Sequence, residues 1–251
     1  KIFEKQGINP KNDFEKAYTL NNKNWRISRA LSKYKYDSKE YMKAYKILKE
    51  SFMNDTSNYI IGMDYVKVLL RIEKYKEAIS ILDVLKILPY EHAGEGRKLY
   101  VDAHHGLSLE HIKKNKFKKA ISLLNRSKRW PETLGVGKPY NPDERIENYL
   151  LSYCYEKIGD KSSKKYLSEI VEYSIENIHE NKIENILGYI AIKKMNGEFE
   201  SDNYIKNLSH NHGITSSNIK FILNFQKNKI VSEYLKNDFI KEILTLKWKT
   251  T

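Results

Sequence analysis

The chain has 251 residues, 40% of them hydrophobic, enough to bury a sizeable core in one or two domains. Lys and Arg exceed Asp and Glu by 45 to 32, a net charge of +13. The lysines are nevertheless spread among Asn, Glu and Ile, and no run of five or six like charges marks a nucleic-acid arm.

No stretch of about 18 apolar residues is present, so no membrane-spanning helix is expected. Cys154 is the single cysteine, which excludes an intrachain disulfide and reads as a small core residue rather than a nucleophile. The chain starts at Lys1 without a signal peptide, as a fragment would, and a cytoplasmic setting is favoured. Gly7, Asn9 and Pro10 interrupt regular structure, and Asn12 and Asp13 can cap a short helix over 14–20. Residues 1–20 read as a lead-in or the tail of a preceding domain.

From Asn24 a repeat begins. Trp25, Ile27, Ala30, Leu31 and Tyr34 form one apolar helical face, and a turn follows at Asp37-Ser38. Tyr41, Ala44, Ile47, Leu48 and Phe52 form the next. A second pair follows on Ile60, Tyr65, Leu69 and Leu70, then Tyr75, Ala78, Leu82 and Leu85. Tyr41 to Tyr75 and Ala44 to Ala78 are both 34 residues. The stretch Lys74-Tyr75-Lys76-Glu77-Ala78-Ile79-Ser80-Ile81-Leu82 recurs as Lys116-Phe117-Lys118-Lys119-Ala120-Ile121-Ser122-Leu123-Leu124. Here the spacing has grown to 42, through an insertion over 89–96. The third pair's first helix carries Tyr100, Ala103, Leu107 and His111.

A longer insertion, 130–142, ends at a helix start, with Asn141 as N-cap, Pro142 in the first turn and acids at Asp143 and Glu144. A fourth pair carries Leu150, Leu151, Tyr153 and Tyr155, then the turn Gly159-Asp160, then Tyr166, Leu167 and Ile170. A fifth is centred on Leu187–Ala191 with its turn at Asn196-Gly197. His210-Asn211-His212-Gly213 reads as a loop. Ile219, Ile222, Leu223 and Phe225, then Val231, Leu235, Phe239, Ile243 and Leu246, give two capping helices. The organisation expected is a lead-in over 1–20, helical repeats over 21–208 and a helical cap over 209–251.

Motifs for catalysis are missing. Gly135-Val136-Gly137-Lys138 is no phosphate loop, because Glu132 stands where the first Gly should be and Pro139 replaces the Ser or Thr. His104, His105 and His111 are not spaced three or four apart with a carboxylate on one face, so they read as packing residues and no metal is expected. No cofactor is expected, and no catalytic residue is assigned.

Two surfaces carry the functional expectation. Equivalent connections of a stacked helix-pair array share one edge, so the two insertions should form a lip bearing Tyr90, His92, Arg97, Trp130, Glu132, Lys138, Tyr140 and Arg145. Trp130 and Tyr140 serve there either as contacts for a ligand or as pins holding the loop to the core. The concave face should show Arg26, Arg29, Lys33, Tyr36, Lys67, Arg71, His105, Tyr149 and Tyr153, basic and aromatic groups that suit an extended peptide, an acidic segment or a saccharide. A register shift of one residue would turn some of these tyrosines into core. Nucleic acid is not an expected partner, and the oligomeric state is not legible.

The period and the aromatic-then-Ala signature of Tyr41/Ala44, Tyr75/Ala78 and Phe117/Ala120 resemble the tetratricopeptide (TPR) repeat. The resemblance implies an all-α, right-handed α-solenoid of about five helix pairs and a partner-binding scaffold. The TPR subgroup that clamps a C-terminal carboxylate with Lys and Asn is not matched, since the corresponding stretch carries Arg29, Lys33, Asp64, Asp102 and Gly106. A narrower resemblance rests on Trp130-Pro131-Glu132, Leu134 to Pro139, Tyr149-Leu150-Leu151 and Cys154 to Lys157 with Gly159-Asp160. It is to the TPR region of bacterial proteins with an N-terminal galactose-mutarotase-like β-sandwich, and it implies a link to carbohydrate metabolism. The functional expectation is a non-catalytic scaffold for a protein or peptide, or for a missing carbohydrate-active domain. The alternatives are loops 89–97 and 130–145 that touch sugar in a carbohydrate-processing enzyme, or a peptide-sensing regulator.

Overall fold

The computed structural model describes residues 11–89, 94–227 and 238–246. Gly7, Asn9, Pro10, Tyr90, His92, Val231 and Leu235 lie outside the described residues. Within them the chain forms thirteen α-helices and no strand. These are α1 (Lys11–Leu20), α2 (Trp25–Asp37), α3 (Tyr41–Asn54), α4 (Tyr59–Arg71), α5 (Tyr75–Leu82), α6 (Glu95–Lys113) and α7 (Phe117–Ser127). They continue with α8 (Arg145–Lys157), α9 (Ser162–Glu176), α10 (Asn185–Asn196), α11 (Glu198–His212), α12 (Ser217–Gln226) and α13 (Asp238–Leu244). Among the described residues the helices follow one another as five pairs, α2/α3 to α10/α11.

Four of the pairs close on the same turn. One residue enters the left-handed region after the first helix: Lys39 (φ 61°), Glu73 (58°), Asn115 (55°) and Gly159 (77°). The next N–H then reaches back five residues, Glu40 to the Lys35 carbonyl, Lys74 to Leu69 and Lys116 to His111 at 2.8 Å, and Asp160 to Tyr155 at 2.9 Å. That bond satisfies a carbonyl the helix end would otherwise leave open and reverses the chain. Five residues on from the first three stand Ala44, Ala78 and Ala120, each with no exposed surface. Ser163 and Ser201, buried four residues after Gly159 and Gly197, take the small-residue place in the last two pairs. Packing between pairs is equally tight. The Tyr75 ring lies against Gly106, where a Cβ would come within 2.3 Å of it.

The contacts divide the chain into two compact units, Lys1–Leu107 with Arg129–Lys138, and Ser108–Lys128 with Pro139–Thr251. In the first, α1 is fastened to α2 by Lys35, whose ammonium donates to Glu15 at 2.6 Å. The core of the second gathers Leu150, Leu151, Cys154, Ile170 and Leu187 from α8, α9 and α10. Burial pushes the Cys154 thiol up to about 12, so it stays protonated and inert.

Four local expectations are corrected. The buried face of α2 is Ser28, Leu31, Ser32 and Lys35, because two serines allow a close approach that an apolar pattern does not register. Helix α5 stops at Leu82, short of Leu85. Helix α8 starts at Arg145 rather than Pro142, with the Asp143 carboxylate accepting from the Arg145 N–H at 3.3 Å. His210, Asn211 and His212 belong to α11, which Gly213 caps.

Candidate binding groove

In the first unit α2 and α4 lie side by side and leave a groove of about 260 Å³ between them. Ser32, Leu48 and Val68, each 2% exposed, close its floor. Arg29, Lys33, Tyr36 and Asp37 rise from α2, and Asp64 and Lys67 from α4. The i, i+3/i+4 spacing of Arg29, Lys33 and Tyr36 puts all three on one stripe of α2, and Asp64 and Lys67 share a stripe of α4 in the same way.

The polar rim is a chain of alternating charge. The Arg29 Nε donates to Asp64 at 2.7 Å, and the Lys67 ammonium bonds the other Asp64 oxygen at 2.9 Å. Lys67 also reaches Glu95 at the start of α6, at 2.9 Å. Burial works against the Lys67 charge, but its bonds to Glu95 and Asp64 outweigh that and raise its pKa above the ordinary lysine value. Among the described residues Lys33 pairs only with Asp37 on its own helix, and both are well exposed. The groove therefore offers a small, mostly apolar floor, a held ion network on one side and an exposed cation with a tyrosine on the other. It is smaller than the ~300–1,000 Å³ of sites that enclose drug-sized ligands. Its size suits one side chain of a longer ligand.

Four of the expected concave-face residues, Arg29, Lys33, Tyr36 and Lys67, are thus brought together. Arg26 and Arg71 are exposed nearby on the same helices, over the rings of Trp25 (4.5 Å) and Tyr41 (5.1 Å). The rest are corrected. His105 is 5% exposed, Tyr149 2% and Tyr153 7%, so these are core side chains. Their helices present another face to solvent than the repeat register implies. Sequence reasoning missed Asp37 as a rim residue and Ser32, Leu48 and Val68 as the floor; the Ser28/Ser32 spacing was the available signal.

In the first unit the 130–142 insertion packs on the chain just ahead of the 89–96 insertion and on the start of α6. The Ile87 N–H donates to the Thr133 carbonyl at 2.8 Å, and Gly135 (φ 72°) lies where a Cβ would stand 2.9 Å from the Ile87 carbonyl. The Arg97 guanidinium covers the Trp130 ring at 4.3 Å and is itself 8% exposed. Glu132 and Lys138 are exposed. Two lip residues fall in the second unit. Tyr140 is fully exposed, whereas Arg145 is buried at 1% exposure, bonded to Asp143 (2.7 Å) and Asn185 (2.7 Å). Arg145 is therefore a core residue, because its charge is matched inside the fold and not at its surface.

Among the described residues no group of three or more His, Cys, Asp or Glu side chains could hold a metal. His104 is fully buried, its Nδ1 2.8 Å from the Tyr100 carbonyl, which is a packing arrangement. No helix of the described residues is long and apolar enough to cross a membrane.

No family model matches the chain, and no curated protein does. Two crystal structures of nearly identical TPR-like repeats, from a Podosopora anserina protein described as a kinesin light chain, align with TM-scores of 0.42 and 0.41. Both are 9% identical over 82% of this chain and 98% of theirs. A likeness of that size carries nothing about function.

Proposed function

We propose that the chain is a non-catalytic interaction module that holds an extended segment of a partner protein across α2 and α4. One partner side chain enters the groove, and a carboxylate nearby in the same segment meets Lys33 and Arg29. The observation that carries this reading is the groove itself: a mostly apolar floor sized for one side chain, rimmed by cations of which Lys33 has, among the described residues, no partner beyond its own helix. Stacked helix-pair repeats build extended concave surfaces of the kind that bind partners. The saccharide reading has less support, since Arg97 already occupies one face of the Trp130 ring.

The test is peptide selection on the wild-type chain, followed by calorimetry with the selected sequences. Peptides rich in Asp and Glu are expected. A Lys33→Glu, Tyr36→Ala variant, with its helical circular dichroism unchanged, should bind them about tenfold or more weakly, equivalent to about 1.4 kcal/mol. Equal affinity for the variant would remove the groove from the reading.

A further inference from the structure

Three successive turns of the second unit lie along one of its edges. Phe117, the first residue of α7, sets its ring 6.4 Å from Tyr153 of α8. Lys157, one helical turn further along α8, holds its ammonium 5.0 Å over that same Tyr153 ring. Lys194, near the end of α10, bonds Glu156 beside it. The α6–α7, α8–α9 and α10–α11 turns are therefore neighbours.

That edge is strongly basic. Lys113, Lys114, Lys116, Lys118 and Lys119 crowd the first turn, interrupted in sequence only by Asn115 and Phe117; Lys113 pairs with Glu242 and Lys114 with Glu110, and among the described residues the other three are left over. Half-buried His111 reports the crowding. Its pKa is lowered first by burial and then by the ammoniums of Lys119, Lys116 and Lys114 around it, against the opposing pull of Glu110. The second turn adds Lys157, Lys161, Lys164 and Lys165; Asp160 accepts from the Ser162 N–H at 2.8 Å, Glu156 is held by Lys194, and Glu169 pairs with Lys165. The third is balanced, with Lys193 bonded to Glu198 at 2.8 Å and Glu200 exposed close by. Lys116, Lys118, Lys119, Lys161 and Lys164 are exposed and belong to no ion pair among the described residues.

Apolar side chains stand among these charges. Ile158 is 40% exposed at the tip of the second turn; Met195 (40%) and Phe199 (74%) flank the third. Phe199 stands two residues after Gly197, as Phe117 stands two after Asn115, but unlike Phe117 it is left in solvent.

We propose that this edge docks on an anionic lipid bilayer, with the lysines on headgroup phosphates and Ile158, Met195 and Phe199 entering the boundary between headgroups and acyl chains. Polybasic surfaces are attracted to anionic leaflets, and exposed apolar tips add burial that charge alone does not. The phosphate backbone of a nucleic acid would match the lysines but leave the three apolar tips in water, and the three turns contain no arginine with which to read base edges. A bilayer satisfies both features. The proposal is independent of the groove, which lies in the other unit.

Cosedimentation of the full chain with phosphatidylcholine vesicles, with and without ~30% phosphatidylglycerol, is the test. Binding is expected only to the anionic vesicles. Lys116→Glu/Lys119→Glu/Lys161→Glu should weaken it about tenfold or more, while Lys39→Glu/Lys46→Glu/Lys76→Glu, with the same change of net charge in the first unit, should alter it less than about twofold. Ile158→Ser/Phe199→Ser should weaken it several-fold with no change of charge. Three results overturn the proposal: no vesicle binding by the wild type; equal loss in both charge variants, which would mean attraction by net charge only; or full binding by the Ser variant together with tighter, edge-dependent binding of duplex nucleic acid. Circular dichroism of each variant separates these outcomes from misfolding.

Discussion

Arg145 shows what a single charged side chain does inside this array. It is 1% exposed, and its charge is met by Asp143 through two side-chain bonds at 2.9 and 2.7 Å, with Asn185 at 2.7 Å and the Tyr173 ring 5.0 Å away. Burial disfavours the Asp143 carboxylate, but Arg145, with a lesser pull from Lys182, outweighs it and holds the group below the ordinary aspartate range. The folded pKa is thus the lower one. The stability it contributes is complete above the unfolded value of about 3.9 and is lost as the pH falls through the folded value. Asp143→Asn strands a buried cation, so it should cost about 3–5 kcal/mol in urea unfolding at neutral pH. Adding Arg145→Met should recover part of that loss, and the double variant should lose less stability on acidification than the wild type. A cost below about 1 kcal/mol for Asp143→Asn would show that water, and not the carboxylate, satisfies Arg145.

At the scale of the element, the turn between paired helices decides the fold, and it is strained in three of its copies. Lys39, Glu73 and Asn115 hold left-handed φ values that cost a residue with a Cβ of order 1 kcal/mol or more, whereas Gly159 holds the same turn at no such cost. All three side chains are exposed, so replacing them isolates the backbone. Lys39→Gly and Glu73→Gly should each stabilise by about 0.5–1 kcal/mol in urea unfolding, and Asn115→Gly by less, because Asn tolerates this region best. Gly159→Ala should cost about 1 kcal/mol. Destabilisation by the glycines would mean that loss of chain entropy exceeds the relief of strain. The same elements set the limit of what the sequence reveals. The pairs were legible because Tyr41/Ala44, Tyr75/Ala78 and Phe117/Ala120 repeat both a large and a small residue at fixed places. The turns were legible in position but not in conformation, since a lysine or glutamate carries no signal for a positive φ. The groove was legible on its rim, where Arg29, Lys33, Tyr36 and Lys67 recur at helical spacing. Its floor was not, because Ser32 is polar by type and is buried only by the close approach of another helix. Arg145, His105 and Tyr149 failed for the converse reason: charged and amphipathic side chains sort to the surface by default, and only tertiary partners keep them inside.

For the whole molecule the controlling quantity is the net charge of +13, with an isoelectric point near 9.4. Many lysines are paired, yet pairs such as Lys33–Asp37 and Lys98–Asp102 are solvent-exposed, and exposed pairs are worth only about 0–1 kcal/mol each. The unpaired excess repels itself in the folded state more than in the expanded chain, where the charges stand further apart. Salt shortens the range of that repulsion from about 10 Å at 0.1 M to about 3 Å at 1 M. Buried pairs such as Arg145–Asp143 are screened far less, so the attraction that matters survives while the repulsion is removed. The midpoint of thermal unfolding near neutral pH should therefore rise with sodium chloride up to ~0.5 M. The slope should shrink as the pH approaches 9.4, where the excess charge vanishes. A midpoint that falls with salt would show that the ion network of Arg29, Asp64, Lys67 and Glu95, and others like it, outweighs the net repulsion. In that case the basic composition would be part of what holds the fold together and not a burden on it.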